Sequence, residues 1–266
     1  MHASTLLLSA LGATVLAAPT YPTLVKDSVT QDGLDTVSQY FNLVARKVQE
    51  VKSNVAVPVC DLSKASMPAA PSALPPPTAG LVLKHVALGR GTQNYTCDTT
   101  NATAVPVAVG ALATLFNASC VASSYPDLLN LLPKVAMQFN LTAAGQEKIR
   151  TMVPGNMAIS GEHFFTNPTT PFFDLNQGNI PLGSAPCAKN NSSPAPADAP
   201  KGQGGEAAVP WLKLLTKVGA TGDLQEVYRV ETAGGSAPAT CKGLPAAFNV
   251  QYSAQYWFYE SSPKKI

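Results

Sequence analysis

The clearest pattern in the chain lies near its C-terminus, where apolar and polar-aromatic positions alternate from Phe248 to Tyr259. Val250, Tyr252, Ala254, Tyr256 and Phe258 form one face. Gln251, Ser253, Gln255, Trp257 and Tyr259 form the other. A period of two predicts a strand there. Leu224 to Thr232 reads the same way, and Met157 to Asp174 reads as strand, turn and strand. Leu81 to Leu88 predicts a strand, Gly89-Arg90-Gly91 a turn, and Thr92 to Cys97 a return strand, so that this stretch is expected to be a hairpin. Val105 to Asn117 predicts one strand or two short ones.

Helical periodicity is confined to a few places. Leu34, Val37, Phe41, Val44, Val48 and Val51 mark one face of an amphipathic helix that starts near Asp32. Ser124-Tyr-Pro predicts a second helix, which Pro133 should stop, and 142–152 predicts a short third one. Pro58 to Pro77 reads as an extended connector, and about 179–207 as a flexible, low-complexity loop. The expected fold is mainly β: a barrel-like or sandwich domain with short helical inserts and an amphipathic N-terminal helix. The expected division is a signal peptide at 1–17, the N-terminal helix and Pro-rich connector at 18–80, and the β-rich domain at 81–260.

Composition sets the compartment. Only 13% of the 266 residues are charged and the net charge is +2. That is well below the roughly 25% of ordinary soluble proteins, so uncharged polar residues must cover the surface. The basic residues are dispersed, which argues against a nucleic-acid partner. The apolar run 5–16 before Ala17-Ala18-Pro19 has the form of a signal peptide cleaved after Ala17, and no later stretch is long enough to span a membrane. N-x-S/T sequons at Asn94, Asn101, Asn117, Asn140, Asn190 and Asn191 point to a secreted glycoprotein, extracellular or in the cell wall. Five cysteines lie beyond the signal: Cys60, Cys97, Cys120, Cys187 and Cys241. Two bridges and one free thiol are expected in an oxidising compartment, with Cys97–Cys120 and Cys187–Cys241 as the candidate pairs and Cys60 left over. No cysteine–histidine cluster suggests a metal, and no cofactor motif is complete.

Candidate chemistry is sparse. His163 could serve as a general base with Asp174 or Glu206, while His85, inside an apolar run, reads as structural. Gln93, Tyr95, Trp211, Gln255, Trp257 and Tyr259 are candidates for a shallow carbohydrate groove, with aromatic faces for sugar rings and amides for hydroxyls. Arg90 and Arg229 could each bind an anion or close a salt bridge.

The segment Gly89-x-Gly-Thr-Gln-Asn-Tyr-Thr-Cys97 resembles the opening signature of the secreted domain-of-unknown-function 3455 family, in its fungal branch. Gly161-x-His163, Val209-Pro-Trp211-Leu, Val230-x-Thr232-x-Gly-Gly-x-x-Pro238, Cys241 and the aromatic terminal strand follow in the family's order. The resemblance runs from Leu81 to Tyr259. It implies a secreted or periplasmic setting and carries no established activity. Some fungal members bear the label malate dehydrogenase; Gly89-x-Gly91 lacks the third glycine and the following helix that such an enzyme's nucleotide loop needs.

Three readings follow. A noncatalytic secreted protein that binds cell-wall polysaccharide or another extracellular glycan would expose clustered aromatics. An extracellular hydrolase would bring His163 to an acid. A purely structural secreted protein would bury both. The sequence does not set an oligomeric state.

Overall fold

The computed structural model describes residues 31–53, 60–152 and 157–262; the expected signal peptide lies outside them. Eight antiparallel strands close into a barrel: β1 (Leu81–Thr96), β2 (Val107–Asn117), β3 (Ile159–Asn167), β4 (Thr170–Asp174), β5 (Ser184–Ser193), β6 (Trp211–Thr216), β7 (Leu224–Gly234) and β8 (Ala247–Ser261). Each strand pairs with its neighbour in sequence, and β1 pairs with β8 from Leu81↔Ser261 to Thr96↔Ala247. Closure leaves no sheet edge unpaired. We call the end where β1 finishes the upper end.

The expected hairpin at Gly89–Gly91 does not form, because β1 runs straight through both glycines. The glycines serve packing. A Cβ on Gly89 would sit 2.5 Å from Cε2 and 2.9 Å from Cδ2 of Tyr256. Ala87, Ala111, Ala113, Ala185 and Ala254 also face inward, and these small residues make room for Leu115, Phe173, Tyr252, Tyr256 and Phe258 in the same interior cluster. Mixing small and large inward residues fills an eight-stranded barrel. The expected flexible loop at 179–207 likewise contains β5, whose Ala185 and Cys187 face this core.

A second core lies outside the wall. Val86, Leu88, Trp211, Tyr228, Val230 and Trp257 face outward and are covered by helices α1 (Gln31–Ser53), α2 (Ser119–Ser124), α3 (Pro126–Ala136) and α4 (Ala143–Arg150) and by the Pro-rich segment. That segment is a strap with specific fastenings. Lys213 Nζ donates to the Pro76 carbonyl at 2.8 Å, the Tyr228 hydroxyl to the Pro75 carbonyl at 2.8 Å, and Thr78 Oγ1 to Glu226 at 2.5 Å. Lys213 and Glu226 themselves form a buried ion pair at 3.1 Å.

Helix α3 shows how the two layers lock. Pro126 occupies its first turn, where a missing N–H costs nothing. Pro133 does not stop the helix as expected; it lies inside it. A proline there cannot donate to the carbonyl four residues back, which is that of Leu129. Gln255 Nε2, reaching from β8, donates to the Leu129 carbonyl instead, at 3.1 Å. Arg90 fixes the helix's other end by donating to the carbonyls of Ala136 (3.0 Å) and Phe139 (2.9 Å). A cation suits the helix C-terminus, where carbonyls lack partners.

Candidate functional site

His163 lies inside the barrel. Its ring stacks on Phe173 at 4.3 Å between centroids, with Tyr256 at 5.6 Å, and Nδ1 donates to the Phe172 carbonyl at 2.9 Å. Burial pushes its pKa down to about 4, outweighing the upward effect of that hydrogen bond. Neither expected carboxylate meets it. Phe173 points inward, so Asp174, the next residue, points outward, where it pairs in register with Glu162 and accepts from the Asn176 amide at 3.1 Å. Glu206 accepts from the Gly204 amide of its own loop at 2.9 Å. The acid–base pairing proposed for a hydrolase is therefore not assembled from these residues.

His85 is held more tightly than its sequence context suggests. Nε2 lies 3.0 Å from Ser160 Oγ and Nδ1 lies 3.0 Å from Ser119 Oγ. Ser160 Oγ donates to the Leu115 carbonyl and Ser119 Oγ accepts from the Val86 amide. Those directions assign the proton to Nε2 and leave Nδ1 as acceptor. The ring is buried and its pKa is pushed down to about 4. Serine–histidine–serine here ties β1, α2 and β3 together. The serines gave no sequence signal, since they lie far from His85 along the chain.

The expected carbohydrate groove does not form either. Gln93 and Tyr95 face the barrel interior near its upper end, where the Tyr95 hydroxyl donates to the Gly235 carbonyl at 2.7 Å and its ring stacks on Phe248. Trp211, Gln255 and Trp257 face the opposite way and are fully covered by the helices and strap. Gln255 is occupied by the Leu129 carbonyl and by Trp257 Nε1, which donates to its oxygen at 3.0 Å. Tyr259 packs edge-on to Tyr228, half-buried. Alternation along β8 is real, but both faces of the strand are covered.

Two arginines that look alike in sequence differ in the fold, and neither closes a salt bridge among the described residues. Arg90 lies on the outer face and donates to the carbonyls of Gly91, Ala136, Phe139 and Tyr252 and to the Gln251 side chain. Arg229 points into the barrel, beside the Tyr252–Tyr256 hydroxyl pair (2.8 Å). Its Nη2 donates to the Pro210 carbonyl at 2.8 Å, while its buried Nε has no partner.

On the outer surface, a polar cleft of about 580 Å³ lies between α1, α3 and the loop 197–205. Asp35, Gln39, Lys134, Gln138, Asp198 and Lys201 line it. This volume suits a small ligand. Among the described residues no group of histidine, cysteine and acidic side chains could hold a metal ion. No helix among them is long and apolar enough to cross a membrane.

The disulfides differ from the expected pairs. Cys60 joins Cys120 and Cys97 joins Cys241, with Cα separations of 4.5 and 5.5 Å. Cys97 follows β1 at the upper end and Cys120 follows β2 at the lower, so the barrel's length separates them. Cys187 is the free thiol. It faces the core, where burial pushes its pKa up to about 12.

A family model described as protein of unknown function (DUF3455) matches residues 77–260. The chain belongs to this family. No curated protein and no solved structure matches it. The DUF3455 match begins at the end of the strap and closes in β8, so it covers the whole barrel with α2, α3 and α4. Helix α1 precedes the matched span and contributes Asp35, Thr36 and Gln39 to the cleft. The closed antiparallel DUF3455 barrel is also not the doubly wound parallel sheet of a dinucleotide-binding enzyme.

Proposed function

We propose that this DUF3455 protein is a secreted, noncatalytic glycoprotein that holds an extracellular glycan, such as cell-wall polysaccharide, in the α1–α3 cleft. The cleft carries the reading. Its amides, carboxylates and ammonium groups supply the donors and acceptors that hydroxyl-rich ligands need. The setting agrees with it. Two disulfides suit an oxidising compartment, and the sequon residues Asn101, Asn117, Asn140, Asn190 and Asn191 are exposed, with Asn94 half-buried. The test is a glycan-binding screen on the purified mature protein, repeated with the double variant Gln39→Ala/Gln138→Ala. Binding to at least one polysaccharide, weakened tenfold or more in the variant at unchanged melting temperature, is the expected result. Binding that ignores the variant sinks the cleft assignment.

One observation favours a second reading, a purely structural secreted protein: His163, Trp211 and Trp257 are all sealed in packed cores. On that reading the screen returns no ligand.

A further inference from the structure

From the two buried arginines we infer that the upper barrel interior is a binding site for a small monovalent anion, of carboxylate or halide size, centred on Arg229. A guanidinium presents five N–H donors and stays charged. Burying it is costly unless those donors and the charge are answered. Arg90 shows what a purely structural solution looks like in this protein, since each of its three nitrogens donates to at least one acceptor.

Arg229 has no such arrangement. It is 9% exposed, and the acceptor it reaches is the neutral Pro210 carbonyl. Its Nε is buried and unpartnered. A second orphan faces the same barrel interior: Gln93 is 8% exposed and its Nε2 has no partner. Gln93 belongs to the group around Gly235, where an added Cβ would lie 2.8 Å from Tyr252 Cβ, 3.0 Å from Val209 Cγ1 and 3.3 Å from Gln93 Cγ. Tyr252 and Tyr256 share one hydrogen bond, which leaves one hydroxyl proton available to donate. The charge of Arg229 acts on Tyr95, His163, Tyr252 and Tyr256, all on the same barrel interior. All are neutral.

Among the described residues no acid pairs with Arg229. Glu231, two residues on, has a left-handed backbone (φ 46°), and its pKa is raised by burial and by Asp198, as for a carboxyl with no cation beside it. The interior thus holds a cation and unpartnered donors, with no carboxylate among the described residues paired to them. The Ala208↔Gly235 bridge and the Arg229 bond to Pro210 hold residues 208–210 against the strands, and large rings fill the interior, which favours a ligand of a few atoms.

The test uses the full mature protein. Crystals are soaked in sodium bromide, and the melting temperature is compared in 100 mM bromide, formate, acetate or gluconate at equal ionic strength. The expected result is an anomalous bromide peak within hydrogen-bonding distance of Arg229 Nε. Bromide, and formate or acetate, should also raise the melting temperature by several degrees over bulky gluconate, because a ligand bound only by the folded state stabilises it. Formate and acetate shifts without a bromide shift would mark the site as carboxylate-selective. Arg229→Gln should abolish the ion-specific shift. If that variant does not fold, the wild-type crystals decide alone. Water alone at Arg229 Nε, with no ion-specific shift, overturns the inference. Glycan binding at the cleft involves none of these residues, so either reading can fail without the other.

Discussion

Both histidines of the described chain are buried and neutral, so acid should destabilise the fold well above the carboxylate range. His85 and His163 each have a pKa near 4, against an ordinary value of 6.5. The sign follows from which state takes the proton. Below pH 6.5 the unfolded chain protonates both rings while the folded chain holds them neutral, so stability is complete above that pH and declines as pH falls towards 4. The full loss is about 3 kcal/mol per histidine, of which about 2 kcal/mol is gone by pH 5. Two histidines give a slope of about 2.4 kcal/mol per pH unit near pH 5.5, against a total stability of about 5–15 kcal/mol for a typical domain. The charged neighbour acting on His163 is Arg229, which lowers its pKa further, while His85 meets the hydroxyls of Ser119 and Ser160.

The assay is chemical denaturation at half-unit steps from pH 7.5 to 5, with the disulfides kept oxidised. His163→Asn keeps a donor for the Phe172 carbonyl but cannot titrate. It should lower stability at pH 7.5 by about 2–3 kcal/mol through lost ring packing, and should halve the pH slope. Adding His85→Gln should flatten the curve. Wild-type stability that is level between pH 7 and 5, or a slope that both substitutions leave intact, would refute the reasoning.

Three further outcomes follow from single contacts. Gln255→Met should cost about 2–4 kcal/mol in denaturant titrations, because the Leu129 carbonyl above Pro133 and the indole N–H of Trp257 both lose their partner in a buried site. Glu226→Ala should cost about 3–5 kcal/mol by leaving Lys213 buried without its ion pair, and limited proteolysis should then cut the freed strap between Met67 and Thr78. Gly89→Ala should destabilise by about 1–3 kcal/mol through overpacking against Tyr256, and Tyr256→Leu in the same chain should recover part of that loss in melting temperature.

Where the sequence reading succeeded and failed follows from how local the physics is. The strand at β8 was legible because a period of two is written in adjacent residues. Its meaning was not. Alternation reveals two faces, but only the fold shows that α3 and the strap cover the face bearing Gln255 and Trp257. Gly89 and Gly91 read as a turn because glycine permits one; the ring that requires Gly89 to be small belongs to Tyr256, at the other end of the domain. Pro133 read as a helix stop because the donor that replaces its missing N–H comes from Gln255. The cysteine pairs depended on which end of the barrel each residue occupies. In every case the error replaced a long-range partner with a local rule.

The two candidate binding features differ in which parts of the chain build them. Helix α1 lies outside the DUF3455 match, yet Tyr40 is sealed in the outer core and Val37 is buried, while Asp35 and Gln39 are presented to the cleft. The proposed glycan contact therefore belongs to the combination of helix and barrel, and a chain beginning at the strap would lose Asp35, Thr36 and Gln39 from it. Arg229 belongs to the barrel itself. It lies on a strand paired on both sides, and Tyr256, opposite it in register, comes from the strand that closes the sheet. Trimming the chain to the matched span removes α1 from α3, together with Cys60 and the strap through Pro76, and should therefore open the cleft and bare Tyr228 while keeping Arg229 on its strand; α3, still bonded to Gln255 through the Leu129 carbonyl, stays on the wall beside Trp257.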